Sequence, residues 1–316
     1  MPFLLPGLNN VTGRQIKEIS GWICDEEFQV YSPVGQDAFT LFVDHKGPLL
    51  NGYAAEITRI SSAAFETIAS IARIDPFKKS TAWLIIKTYY AAFFAAHSIM
   101  RMLGISCSPI GRAQLKSIDK IASAYGYPVQ YSPRGGLYKM AFDTVGKQLN
   151  GSYIKSISSG PHEAFWNLFH DRLKKLIEEI LVEATLTTEE QQQASTKIEE
   201  ILFNLSFGGA PRANWLSMVR NAVNYGQETS TWYPYQNRRK YFDELFSYVS
   251  EWRLDSSGID LASHDDRDLR RFQATCNFLV SMCRELNQEM AKRCSAGRSF
   301  HDLGCLAFLN LLEQPR

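Results

Sequence analysis

Beyond residue 54 the apolar residues of this chain return every three or four positions, and that spacing commits most of it to amphipathic helices. In residues 54–74, Ile57, Ile60, Ala64, Ile68 and Ile71 form one stripe. It ends before Asp75-Pro76, because the residue ahead of a proline is driven out of the helical region. Residues 81–104 follow as an aromatic and alanine-rich helix that stops near Gly104. In 161–184, Phe165, Leu168, Phe169, Leu173, Leu176, Ile177 and Ile180 line one side, and Pro161 suits a first helical turn. Thr187-Thr-Glu-Glu190 has the spacing of a capping box, opening a polar helix that leads to Ile198, Ile201, Leu202 and Leu205. Two long helices so tightly connected should lie antiparallel. Phe207-Gly-Gly-Ala-Pro211 is a break, 213–224 is a further helix closed by Gly226, and 240–252, 268–294 and 301–312 also read as helices.

Two regions lack this clarity. Residues 1–53 mix Gly, Pro and short alternating runs such as Phe28-Gln-Val-Tyr31 and Phe39-Thr-Leu-Phe-Val43, consistent with a short helix and a small hairpin. Residues 105–160 read as an insertion, with a helix over 115–125 and a turn-rich loop over 131–138. The expected fold is therefore an all-α helical bundle over 54–316, its core formed by 54–104 and 161–255. An insertion (105–160) and C-terminal helices (262–316) elaborate it, and an irregular extension (1–53) precedes it.

With 316 residues and 45% hydrophobic content the chain can bury a substantial core. Its formal charge of +1 gives no whole-molecule attraction to phosphate, so contact with nucleic acid would need a local basic cluster. The cysteines, Cys24, Cys107, Cys276, Cys283, Cys294 and Cys305, include no Cys-x-x-Cys pair, and several fall in apolar helical patterns, which suits a reducing cytoplasm. The amino terminus lacks a basic n-region, and no stretch reaches the roughly 18 apolar residues of a membrane helix. A soluble, unprocessed cytoplasmic protein without membrane contact is expected.

Chemistry concentrates in Met218-Val-Arg-Asn-Ala-Val-Asn-Tyr-Gly226, where Arg220 and Asn221 sit inside an apolar helical frame that ends in a turn. Together with the aromatic helix over 81–104, this segment resembles the HEPN superfamily of helical nucleases, whose motif is Arg-Asn-x-x-x-His at a helix end. The resemblance implies a metal-independent endoribonuclease in which the RNA 2′-hydroxyl attacks its own phosphate, Arg220 stabilising phosphate charge and Asn221 orienting the site. It implies a homodimer through the motif helices, and a toxin-antitoxin or antiphage-defence setting. The imidazole position departs from the pattern, being Tyr225. A phenol with a pKa of about 10, against about 6.5 for imidazole, is a poor base at neutral pH but can donate a hydrogen bond. Asn224 beside it can orient but not transfer a proton. The competing structural account of the motif is a buried arginine pairing inside a bundle.

Other groups were weighed beside it. His97 follows Phe93 and Phe94 at helical spacing and is the nearest substitute imidazole, against the plainer alternative of a satisfied core histidine. His162 and His170 lie on one predicted helix without the four-residue step that closes a zinc site, so no metal and no cofactor are expected. The loop Trp232-Tyr-Pro-Tyr-Gln-Asn-Arg-Arg-Lys240 interleaves aromatics and cations. Trp232 and Tyr235 suit base stacking, and Arg238, Arg239 and Lys240 suit a strand's phosphates; the alternative is a turn whose rings plug the bundle end. Arg134-Gly-Gly and Lys139 offer a weaker basic loop without P-loop spacing. The resulting expectation is an RNA-cleaving or RNA-binding subunit with an Arg-Asn-x-x-x-Tyr site. Its rivals are a catalytically silent HEPN-like scaffold that binds a partner subunit, a nucleotidyltransferase or an ATPase, and an unrelated helical adaptor.

Overall fold

A four-stranded antiparallel sheet replaces the small N-terminal hairpin of the sequence reading and takes in residues 105–160, where that reading places a helix and a loop, so the chain is mixed α and β rather than all-α. The computed structural model describes residues 2–71, 81–127, 133–155, 160–210, 213–226, 231–232, 238–262 and 268–313. Asp75-Pro76 and Pro211, where helix ends were expected, lie outside them. The chain divides into two compact units, each assembled from three separate stretches.

The first unit comprises Met1–Ser62, His97–Ser156 and Asn287–Leu311. It holds α1 (Ile19–Cys24), β1 (Ala38–Phe42), the start of α2 (Lys46–Ile71) and the end of α3 (Thr81–Met102). Then come β2 (Ile105–Ile110), α4 (Arg112–Ala124), β3 (Gly136–Asp143) and β4 (Gln148–Tyr153). The end of α9 (Asp268–Lys292), α10 (Phe300–Leu303) and most of α11 (Cys305–Glu313) complete it. The sheet order is β1-β4-β3-β2. It thus joins the N-terminal stretch to the region expected to be an insertion: Ala38 pairs with Ser152 and Phe42 with Gln148. Within 1–53 the two alternating runs meet at one antiparallel bridge, Gln29 with Phe42, while the ladder partner of β1 lies about a hundred residues downstream, beyond the reach of a local pattern.

The strands carry little signal in their own residues. β2, Ile-Ser-Cys-Ser-Pro-Ile, carries Pro109, which disfavours a strand reading but is tolerated here because β2 is an edge strand. β4, Gln-Leu-Asn-Gly-Ser-Tyr, is mostly polar, and its Gly151 leaves room for the Phe39 ring, which stands where a Cβ would. β3 does alternate, with Tyr138, Met140 and Phe142 buried, as a strand with one covered face must. β3 and β4 form a hairpin whose turn is held by Asp143, its Oδ1 accepting the N–H groups of Val145 and Gly146 at 3.0 Å each.

A buried ion pair fixes the helices of this unit to the sheet. Arg101 on α3 and Glu56 on α2 meet at 2.5 Å, each side chain 4% exposed. Glu56 also accepts the Ile19 N–H at the start of α1 (3.1 Å). Arg101 donates to the Ser108 hydroxyl on β2 (3.0 Å) and to the His97 carbonyl (3.0 Å). Gly104 makes the turn from α3 into β2 at φ 77°, a left-handed conformation that suits glycine, and its carbonyl accepts the Tyr53 hydroxyl at 3.0 Å.

The second unit comprises Ala63–Ala96, Ile157–Leu286 and Leu312–Arg316 and is helical among its described residues. It contains the remainder of α2, α3 and α9 with α5 (Pro161–Val182), α6 (Thr188–Leu205), α7 (Trp215–Tyr225) and α8 (Arg238–Ser247). Here helical periodicity translates directly: Phe165, Phe169, Leu173, Leu176 and Ile180 are buried on α5. The capping box forms as spaced, with Glu190 N–H donating to the Thr187 hydroxyl (3.2 Å) and Thr187 N–H to the Glu190 carboxylate (2.8 Å).

Two stability predictions follow from the first unit. Glu56→Ala should cost about 3–5 kcal/mol in urea unfolding because it strands the Arg101 charge, while the pair Glu56→Leu with Arg101→Met should recover much of that loss. His301 is fully buried with Nδ1 at 2.7 Å from Asn287 Oδ1, and burial pushes its pKa down to about 3. The unfolded imidazole takes its proton near pH 6.5, so this contribution is complete above that pH and is lost as pH falls toward 3. His301→Asn should make the acid decline of stability shallower in a pH series of melts.

Candidate functional site

Arg220 reaches the interior of the second unit by helical phase. On α7, Leu216, Arg220 and Val223 follow at four and three residues and are all buried, so the arginine shares the inward face. The opposite face is open: Asn221 and Ala222 are exposed, Met218 is 43% exposed and Tyr225 82%. Asn224 is half-buried. The motif residues therefore do not converge; Arg220 points one way, Asn221 and Tyr225 another. His97 belongs to the first unit, where its Nδ1 lies 3.3 Å from Arg101.

What surrounds Arg220 is aromatic. Its guanidinium carbon lies 5.2 Å from the centre of the Tyr89 ring and 5.8 Å from that of Tyr90, both on α3. The side chain is only 7% exposed, and its Nε is buried without a hydrogen-bond partner. Among the described residues Arg220 forms no ion pair, whereas Arg172 and Arg270 in the same unit are each held bidentately, by Glu179 (2.8 and 3.1 Å) and by Glu251 (2.8 Å twice). Cation–π contacts contribute about 0.5–2 kcal/mol each, less than the several kcal/mol that desolvating a cation costs. Among the described residues the cation has no counter-charge, and an anion is the group that would supply one.

An imidazole stands beside it after all. The Tyr89 hydroxyl lies 2.8 Å from His162 Nδ1 and accepts the Trp166 indole N–H at 3.1 Å. His162 and Trp166 are one turn apart at the start of α5, so a single helix end presents both to the same phenol. Burial, reinforced by the Arg220 charge, pushes His162 down to about 4, leaving it neutral near pH 7. Burial raises the Tyr89 phenol, opposed by hydrogen bonds from Ser217 and Trp166 and by the Arg220 charge. Next to His162, Glu163 is buried and accepts from Asn214 at 3.0 Å, tying the start of α5 to the residue preceding α7.

In the sequence alone His162 suggests only a metal ligand without a matching partner, and Tyr89 only packing. The His162-to-Trp166 step was the available signal, but nothing local says that α5 delivers that step to the Arg220 helix. Trp232 is half-buried and donates its indole N–H to the Val223 carbonyl at 2.7 Å, closing the C-terminal end of α7, with its ring 5.6 Å edge-on from Trp83. Tyr235 and the side chains of Arg238, Arg239 and Lys240 lie outside the described residues. Among those described, no group of three or more His, Cys, Asp or Glu residues is placed to hold a metal. No helix is long and apolar enough to cross a membrane among the described residues.

Comparison of the chain with protein-family models, with curated proteins and with solved structures finds no match in any of the three.

The electrostatic link between Arg220 and His162 can be read by NMR of the imidazole ring protons. Arg220→Gln should move the His162 titration upward from about pH 4 while leaving that of His301 in place, and an unmoved His162 would contradict the coupling.

Proposed function

We propose that the chain is a HEPN-like protein acting on RNA, with Arg220 as the phosphate-binding group and His162 as the imidazole beside it. The observation that carries this reading is a buried arginine, 7% exposed, without an ion-pair partner among the described residues, flanked by tyrosine faces and a neutral histidine. A guanidinium matches two phosphate oxygens and keeps its charge at any working pH. The start of α5, where His162 is the second helical residue, adds the positive end of a helix dipole.

The chemistry follows from proton positions. The Tyr89 oxygen has two lone pairs and one proton. In the tautomer with its proton on Nδ1, His162 donates to the Tyr89 oxygen beside the Trp166 N–H and keeps Nε2 as an acceptor. A phosphate on Arg220 offsets the charge that depresses His162, raising its basicity as substrate binds. His162 then accepts the proton of the RNA 2′-hydroxyl, the 2′-oxygen bonds to phosphorus and the P–O5′ bond breaks. Water protonates the departing 5′-oxygen and the hydroxide so formed takes the proton held by His162, so the products are a 2′,3′-cyclic phosphate and a 5′-hydroxyl and the imidazole returns to neutral. Arg220 stabilises the charge that accumulates on the phosphoryl oxygens.

Arg220→Gln and His162→Gln should each lower cleavage of bulk RNA by about a hundredfold or more in EDTA, and relieve any growth arrest on expression. Tyr225→Phe, on the exposed face of α7, should change the rate by less than about threefold, a span of under 1 kcal/mol. A wild type without cleavage or RNA binding, or an Arg220→Gln variant indistinguishable from it, would remove the reading.

A further inference from the structure

Beside the Arg220 site, α3 turns three aromatic residues only partly inward. Tyr90, Phe93 and Phe94 are half-buried, while Tyr89, Ala91 and Ala92 around them are fully buried. Tyr90 and Phe94 are one turn apart, a rise of about 6 Å, with ring centres 6.2 Å from each other and planes tilted by 34°. The Tyr90 ring lies 5.8 Å from the Arg220 guanidinium carbon and 6.0 Å from the His162 ring, and Phe93 lies 4.4 Å from His162. Partly solvated aromatic surface thus adjoins a buried cation that lacks an anion among the described residues. An apolar ligand alone would leave Arg220 uncompensated, and an inorganic anion alone would leave the rings wet. A nucleotide carries both complements on one molecule.

We infer that Tyr90 and Phe94 form a nucleobase subsite beside the Arg220 phosphate position, so that the site takes an unpaired nucleotide by its base and its phosphate together. The inference rests on the reading of Arg220 as a phosphate ligand and names what that site takes. A paired base is sandwiched in its helix and cannot lay its face on a protein ring, whereas an unpaired one can. Tyr90 and Phe94 present ring faces rather than a donor and acceptor pattern, so the subsite tolerates any base. Lys87, one turn before Tyr90 and half-buried, donates to the Ser70 hydroxyl at 3.2 Å and places a second positive charge on the same side of α3.

Anisotropy titrations of the full chain with a labelled mixed-sequence 12-mer RNA, alone and annealed to its complement, test this directly. The single strand should bind about tenfold or more tighter than the duplex, and Tyr90→Leu with Phe94→Leu should abolish most of that preference. Tyr90→Trp should retain it, and the leucine variant should keep the upward His162 shift induced by inorganic phosphate, which shows the cation site intact. Phe94→Leu alone should weaken single-strand binding in the same direction, which keeps the test decisive if the double variant fails to fold. If the leucine variants bind the single strand like wild type while Arg220→Gln does not bind, the subsite is wrong, the phosphate reading stands and the rings belong to a protein partner. If Arg220→Gln also binds normally, both readings fall.

Discussion

The pairing of Glu56 with Arg101 is the constraint on which the first unit depends. One carboxylate and one guanidinium, both removed from water, together satisfy the start of α1, a carbonyl of α3 and a hydroxyl of β2. Such a pair is seldom worth more than a good apolar contact, but it is intolerant of misplacement, since moving any of these elements would strand a charge. It therefore contributes more to the uniqueness of the arrangement than to its total stability. The sheet and the helices around it are assembled from three distant stretches, and a directional interaction that ties two of them together specifies what nondirectional burial cannot.

The second unit shows the opposite treatment of an arginine. Arg220 is as deeply placed as many structural cations, yet among the described residues tyrosine faces rather than a carboxylate receive it. A protein that needed only a packed core could have placed an apolar residue there. Leaving a cation under-compensated lowers stability and raises affinity for anions, which is the property the proposed phosphate site would use. Burial first and then the same charge lower His162, so cation and imidazole are electrostatically linked.

The helices were legible in the sequence because their information is local. Each of α5, α6 and α7 carries its own stripe, cap or terminator within a few residues. The sheet was not, because β1 and β4 have meaning only as a pair, and neither polar β4 nor proline-bearing β2 resembles a strand in isolation. The site divides along the same line. Arg220 was visible as an arginine on an apolar helical face, while its neighbours Tyr89 and His162 come from α3 and α5, more than fifty residues away along the chain. The Tyr225 position, selected by spacing from Arg220, lies on the face that helical phase turns outward.

The edges of the sheet carry one last consequence. Pro109 removes a donor from the outer rim of β2, and beside β1 the single residue Gln29 exchanges both of its main-chain groups with Phe42 (2.8 and 2.9 Å) before the chain turns away. Neither border offers a long row of unpaired amides to another polypeptide. A sheet stitched from remote stretches must wait, half-made, for its last strand during folding, and these interruptions discourage a neighbouring chain from taking that strand's place.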